Sequence, residues 1–146
     1  MELKFRVHSK VGRPVSEVFD AVYNPDKLRR YFTTESASGP LEKGTTVIWR
    51  FADYPGDTPV EVTHVVPGKL IVFEWAASEG GYNTRVEMTF EAVDADTTLI
   101  GISESGWHQT PEGLTSSYGN CMGWTQMLCC LKAFTEHGIN LREGAY

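Results

Sequence analysis

The sequence predicts an α+β domain: a curved antiparallel sheet of about six or seven strands, wrapped around one long C-terminal helix. Two short helices are expected after the first strand. Three observations predict this. From Ser116 to Gly138, large apolar residues fall at Cys121, Trp124, Met127, Leu128, Leu131 and Phe134, one wide helical stripe. Nothing else in the chain sustains helical spacing for so long. The middle of the chain alternates with period two in short runs separated by turn residues, the signature of hairpin-linked strands. A sheet that is polar on one face needs its apolar face covered, and only the terminal helix is long enough to cover it.

In chain order, Leu3 to Val11 sets Leu3, Phe5 and Val7 against Lys4, Arg6 and His8, a half-buried first strand. Gly12-Arg13-Pro14 breaks it. Pro14 to Tyr23 reads as a short helix, with Val15, Val18, Phe19 and Val22 on one side. Asn24 suits an N-cap and Pro25 a first helical position, so Lys27 to Phe32 is a further turn or two, with Leu28, Tyr31 and Phe32 inward. Strands follow at Thr45–Ala52, Val60–Val66, Lys69–Ala76, Tyr82–Val93 and Thr97–Trp107. Tyr54-Pro-Gly-Asp, Pro67-Gly68, Glu79-Gly80-Gly81 and Asp94-Ala-Asp96 read as turns. His108 to Thr115 reads as a loop into the long helix. Gly138 suits its C-cap.

A chain of 146 residues without repeats or linkers is expected to be a single domain, 1–146. Hydrophobic residues make up 41% and aromatics 12%, enough for a full core. The formal charge is −6, with no run of Lys or Arg, which argues against nucleic acid and anionic membranes as partners. The polar, alternating start does not read as a signal peptide, and no stretch reaches the roughly 18 apolar residues of a spanning segment. Cys121, Cys129 and Cys130 all fall in the terminal helix, at spacings that suit no structural disulfide, so a reducing cytoplasm is the expected setting. No zinc-ligand spacing, P-loop, nucleophile elbow or dinucleotide fingerprint occurs, and no metal or cofactor is expected.

Several segments together resemble a known family. Pro14-Val-Ser-Glu-Val-Phe-Asp-Ala-Val, Asn24-Pro-Asp-Lys-Leu and Tyr31-Phe are similar to the opening of START-like (SRPBCC) domains. Gly44 with the strand to Phe51, then Val65-Val-Pro-Gly-Lys-Leu and Phe73-Glu-Trp75, resemble the middle. Ser105-Gly-Trp, Gly123-Trp124, Leu131-Lys132 and Glu136-His-Gly138 resemble the end. In this order the motifs are similar to the group named for the activator of the 90-kDa heat-shock protein ATPase. The resemblance spans nearly the whole chain and implies the helix-grip fold. Fold does not dictate function here, since such domains include binders, cyclases, hydrolases and co-chaperones. The chain departs from the pattern in carrying Glu104 where His is common, and as an expected single domain it would lack the additional domain of the eukaryotic co-chaperone.

The resemblance also implies a cavity between sheet and helix. Its expected lining is Trp49, Phe51, His64, Phe73, Trp75, Met88, Phe90 and Ile102 from strands, and Tyr118, Cys121, Met122 and Trp124 from the helix. Leu128 would border it. Counting Ile100, Ile102, Glu104 puts a carboxylate on the apolar face, costly unless paired, protonated or hydrated. Glu104 is therefore the polar residue to watch, as ligand anchor or as acid–base group; a frayed strand end in water is the plainer alternative. His64 shares a face with Val60 and Val62 unless a bulge reverses it. His108 and Gln109 read as loop residues, and Arg50 and Arg85 as solvated.

The leading expectation is a domain binding a small hydrophobic or aromatic molecule whose identity the sequence does not give. Two other classes stay open: a polyketide cyclase/dehydratase or hydrolase type of enzyme using Glu104, and an ATPase-activator-like interaction module with a chaperone partner. A homodimer is compatible with the sequence. No catalytic residue is assigned, and binding is favoured over catalysis.

Overall fold

The structure is a computed structural model that describes residues 1–146. Its elements, in order, are β1 (Lys4–Val11), α1 (Val15–Tyr23), α2 (Pro25–Leu28), β2 (Thr34–Ala37), β3 (Thr46–Phe51), β4 (Tyr54–Val66), β5 (Leu70–Ala76), β6 (Asn83–Asp94), β7 (Thr97–Ser105) and α3 (Pro111–His137). All seven strands form one antiparallel sheet in the order β1-β7-β6-β5-β4-β3-β2. From β3 to β7 the strands follow one another as a meander, as short hairpin turns require. The expected helix-grip architecture is present.

The inward face of the sheet follows from strand alternation. Met88 stands opposite Ile102, Phe90 opposite Ile100 and Val86 opposite Glu104, so Glu104 lies on the apolar face as the count along β7 predicts. Ile71, Phe73, Val86, Met88, Ile100 and Ile102 are fully enclosed. Trp124, Met127, Leu128 and Leu131 of α3 press onto them, and Val18, Phe19 and Val22 of α1 close one end. Each such side chain contributes roughly 1.5–3 kcal/mol by leaving water. The interior is thus a filled core beneath the second half of α3, with open space confined to one end.

Three expectations are corrected. The long helix begins at Pro111, not near Ser116. The Thr110 side chain caps it by accepting a hydrogen bond from the Gly113 N–H at 3.0 Å, and Pro111 fills the first turn, where its missing N–H costs nothing. Leu114 and Tyr118 point to solvent, so this first stretch lacks the periodic stripe that marks the rest. Tyr54-Pro-Gly-Asp is not a turn but the start of β4, with the register slipping between Trp49 and Phe51 to absorb it. A second slip between Val62 and His64 turns His64 outward, where it is exposed. One extra residue in a strand reverses the facing of everything beyond it.

At the far end of α3 the expected cap is present. Gly138 adopts φ 69°, a left-handed conformation that glycine takes at little cost, and donates to Phe134 O at 2.8 Å. Glu136 ties this end to the β1–α1 loop. Its carboxylate accepts from Lys132 Nζ at 2.6 Å and from the Gly12 N–H at 3.1 Å. These donors, Lys132 first, hold the carboxyl below its ordinary value. Beyond Gly138 the chain turns back across the molecule as a C-terminal segment, 139–146.

Candidate aromatic cleft

Open space lies beside the first half of α3, where Gly119 and Gly123 remove side chains from the helix wall. The cleft has a volume of about 150 Å³ and is walled by Phe32, Phe51, Trp75 and Trp124, with Gly119, Asn120 and Gly123 along the helix and Arg142 and Tyr146 at the C-terminal side. Phe32 comes from the turn after α2. There Thr34 holds φ 64°, a backbone state that costs a β-branched residue about 1–3 kcal/mol. The rings pack on one another. Trp75 stacks on Trp124 at 5.3 Å between centroids, Phe32 stacks on Trp124 at 5.6 Å, and Phe51 meets Phe32 edge-on at 5.1 Å.

Glu104 sets the orientation of this wall from behind. It is 1% exposed. Its Oε1 accepts from Trp124 Nε1 at 2.8 Å and its Oε2 from Thr84 Oγ1 at 2.7 Å. Trp75 Nε1 donates to Oε2 at 3.0 Å. The Asn120 amide donates to both oxygens, at 3.2 and 2.9 Å. No Lys, Arg or His is among these partners, so four neutral donors replace the water the carboxylate lost. Two indoles are thereby held with their N–H edges turned inward, and they meet the cleft with the rest of their rings. Trp49, which lies behind Phe32, Phe51 and Trp75, has no such partner: its buried indole N–H meets no acceptor.

The mouth is framed by the C-terminal segment. Arg142 donates from Nε and Nη2 to the two carboxylate oxygens of Asp53, at 2.7 and 2.9 Å. Its guanidinium lies over the rings of Phe32, Phe51 and Tyr146, at 5.4, 4.9 and 4.8 Å. Tyr146 hydrogen-bonds Gln126 on α3. The Arg142 guanidinium holds the Asp53 carboxyl below its ordinary value.

Of the residues expected to line a cavity, Phe51, Trp75 and Trp124 line this cleft. Trp49, Phe73, Met88, Phe90 and Ile102 are core residues behind or beside it, packed by their neighbours rather than facing open space. Glu104 supports the wall without lining it. Three helix residues are corrected: Tyr118 and Met122 are 67% and 63% exposed, and Cys121 joins them on the outer side of α3. At about 100° per residue Met122 and Tyr118 are turned well away from Trp124, while Cys121 flanks it at the edge of the buried stripe that runs through Trp124, Met127, Leu128 and Leu131. His64 is displaced by the bulge already described. Sequence reasoning missed Asn120, Phe32, Arg142 and Tyr146. Asn120 carries a legible signal, a polar residue four before Trp124 on the same helix face. Arg142 and Tyr146 lie beyond the last periodic element and carry none.

No group of three or more His, Cys, Asp or Glu residues stands close enough to hold a metal ion. The three cysteines are unpaired. No helix is long and apolar enough to cross a membrane.

No curated protein matches the sequence. Among solved structures, protein SSP2350 from Staphylococcus saprophyticus superposes with a TM-score of 0.78 at 27% identity, over 97% of this chain and 96% of that one. The Aha1 dimer from Colwellia psychrerythraea gives a TM-score of 0.76 at 23% identity, over 92% of this chain and 97% of that one. DynU16, from the dynemicin biosynthetic locus, gives 0.82 at 24% identity, and this chain spans 49% of its length. The likenesses below 25% identity show the shared fold. The family described as Activator of Hsp90 ATPase homolog 1-like protein matches residues 13–136. Fold, motif order and this match agree: the chain belongs to the family of Activator of Hsp90 ATPase homolog 1-like proteins.

Proposed function

We propose that this protein binds a small aromatic molecule in the cleft between α3, the β3–β5 side of the sheet and the C-terminal segment. The observation that carries the reading is the wall itself. Five aromatic side chains border open space, and two of them are held in place by a buried carboxylate. Burying Glu104 is tolerable because donors satisfy its oxygens, and a fully satisfied buried network of this kind holds the two indoles rigidly. A rigid aromatic wall with few polar groups is the usual form of a small-ligand site.

Glu104 acts in this reading as a positioning residue. Both of its oxygens are already engaged by Trp75, Thr84, Asn120 and Trp124, so a substrate proton would have to displace one of these donors. This favours binding over acid–base catalysis by Glu104. The group facing the cleft is Asn120, whose amide nitrogen is spent on Glu104 and whose oxygen is left to receive a donor from a ligand.

Native mass spectrometry of the freshly purified protein tests the proposal, paired with tryptophan fluorescence against a panel of aromatic compounds. The expected result is an added mass of one small molecule, or saturable quenching by an aromatic compound. A spectrum without added mass and a fluorescence signal unmoved by every compound would sink the reading. The same spectrum counts chains per particle, and a dimer is the expected state, by analogy with the Colwellia relative.

A further inference from the structure

One charged side chain faces the cleft. Of the side chains that line it, only that of Arg142 carries a formal charge. Neither nearby carboxylate lines it: Glu104 lies behind the tryptophans, and Asp53 borders an adjoining groove that shares Arg142 and Tyr146 with the cleft. Arg142 meets Asp53 through one edge of its guanidinium, Nε and Nη2. A guanidinium has five N–H donors and two edges that fit a carboxylate. The other edge, Nη1 with the second Nη2 hydrogen, makes no hydrogen bond to the protein. The guanidinium carbon lies over the rings of Phe32, Phe51 and Tyr146, all of which border the cleft. The Arg142 side chain is 10% exposed, and its unpaired Nη1 is not cut off from solvent, so a ligand carboxylate would take the place of water there.

Size adds a second constraint. A cleft of about 150 Å³ matches the volume of an engineered apolar protein cavity that takes up benzene. One ring laid against the cleft side of Trp75, Trp124 and Phe32 occupies that volume; a second fused ring would extend beyond it.

Resting on the binding proposal above, we infer that the ligand is a single-ring aromatic acid. Its ring packs against the sides of Trp75 and Trp124 that border the cleft, and its carboxylate takes the free edge of Arg142. The Asn120 oxygen then meets a hydroxyl or other donor on the ring. Arg142 and the segment that carries it determine specificity. Asp53 holds the guanidinium in position from the far side, so the arginine arrives at the ligand already oriented, and little side-chain entropy remains to be lost.

The test uses benzoate, benzyl alcohol, benzylammonium and 2-naphthoate as probes, read by the indole N–H resonances of the four tryptophans. Benzoate is expected to shift the Trp75 and Trp124 signals saturably and leave Trp107 still. It should bind about tenfold or more tightly than benzyl alcohol, as a charge-assisted bidentate pair would give. Arg142→Gln should remove that preference, and Arg142→Lys should restore only part of it, since an ammonium lacks the fork. Circular dichroism of each variant checks that the fold is kept.

If benzyl alcohol or benzylammonium binds as well as benzoate, or Arg142→Gln leaves benzoate binding unchanged, the acid is refuted while aromatic binding stands. Equal binding of 2-naphthoate overturns the one-ring limit. If no probe moves Trp75 or Trp124, this inference falls; the broader proposal falls only if its own wider panel and native spectrum also fail.

Discussion

At Glu104, strand alternation and the cost of desolvation pull in opposite directions, and both are satisfied. Alternation along β7 puts the side chain inside, and four donors from β5, β6 and α3 make that tolerable. Glu104→Gln keeps the shape but sets an amide N–H₂ against indole N–H groups that can only donate, or against Thr84 and Asn120, which would have to reorient to accept. Hydrogen bonds to a charged group are worth roughly 1.5–3 kcal/mol, and each unpaired buried donor costs about 1–3 kcal/mol. The variant should lose about 2–4 kcal/mol in denaturant unfolding, with altered tryptophan emission. A loss below about 1 kcal/mol would show that the donors find other partners and that the carboxylate does not fix the wall. Gly123 makes the opposite test. A Cβ built there meets nothing within 4 Å, yet the residue borders the cleft. Gly123→Ala should raise stability by up to about 1 kcal/mol through helix propensity while weakening an aromatic ligand, because the methyl narrows the cleft. Stability and binding moving in opposite directions, measured by thermal unfolding and titration, is the expected signature.

Among elements, α3 and the C-terminal segment divide the labour. The second half of α3 is an ordinary core helix, and its stripe of Trp124, Met127, Leu128 and Leu131 is buried as the spacing predicts. The first half is uncovered on its outer side and borders the cleft on another. The C-terminal segment is held across the cleft mainly by Arg142–Asp53 and the Tyr146–Gln126 contact. Asp53 has its carboxyl lowered from 3.8, chiefly by its hydrogen bonds with Arg142. A lowered carboxyl contributes stability that is full above the ordinary value and is lost as pH falls through the lowered one. Hydrogen exchange of residues 139–146 should therefore stay constant from neutral pH down to the ordinary carboxyl range, after correction for intrinsic rates. Protection should fall below it, ahead of the core strands. Asp53→Asn should show the unlatched behaviour already at neutral pH. Matching loss of protection in the segment and the core at every pH would mean that the latch does not act locally.

For the molecule as a whole, the architecture was legible because it rests on repeated patterns. Period-two runs such as Thr84, Val86, Met88, Phe90, punctuated by turn residues, specify strands, and short turns specify antiparallel neighbours. The Trp124-to-Leu131 stripe specifies a covering helix. Single-residue slips are a different matter. His64 faces out because of one bulge, and Tyr54-Pro-Gly-Asp is strand because of another, and no composition signal distinguishes a bulge from a turn. The expected cavity wall shows the same limit. Phe73, Met88 and Ile102 have the residue types and facing of a cavity wall, but they are packed solid.

By itself the sequence determined the sheet, the long helix with its glycine cap, the two short helices, and the inward placement of Glu104, since each follows from local periodicity and backbone preference. Only the tertiary structure decided what surrounds that carboxylate, where space remains, and which residues border it. Those depend on how far packing fills the interior and on contacts across long separations. Trp75, Thr84, Asn120 and Trp124 converge on one group from three elements, and Arg142 reaches Asp53 from the far end of the chain. A residue's spacing tells which way it points; what it meets there is a property of the fold as a whole.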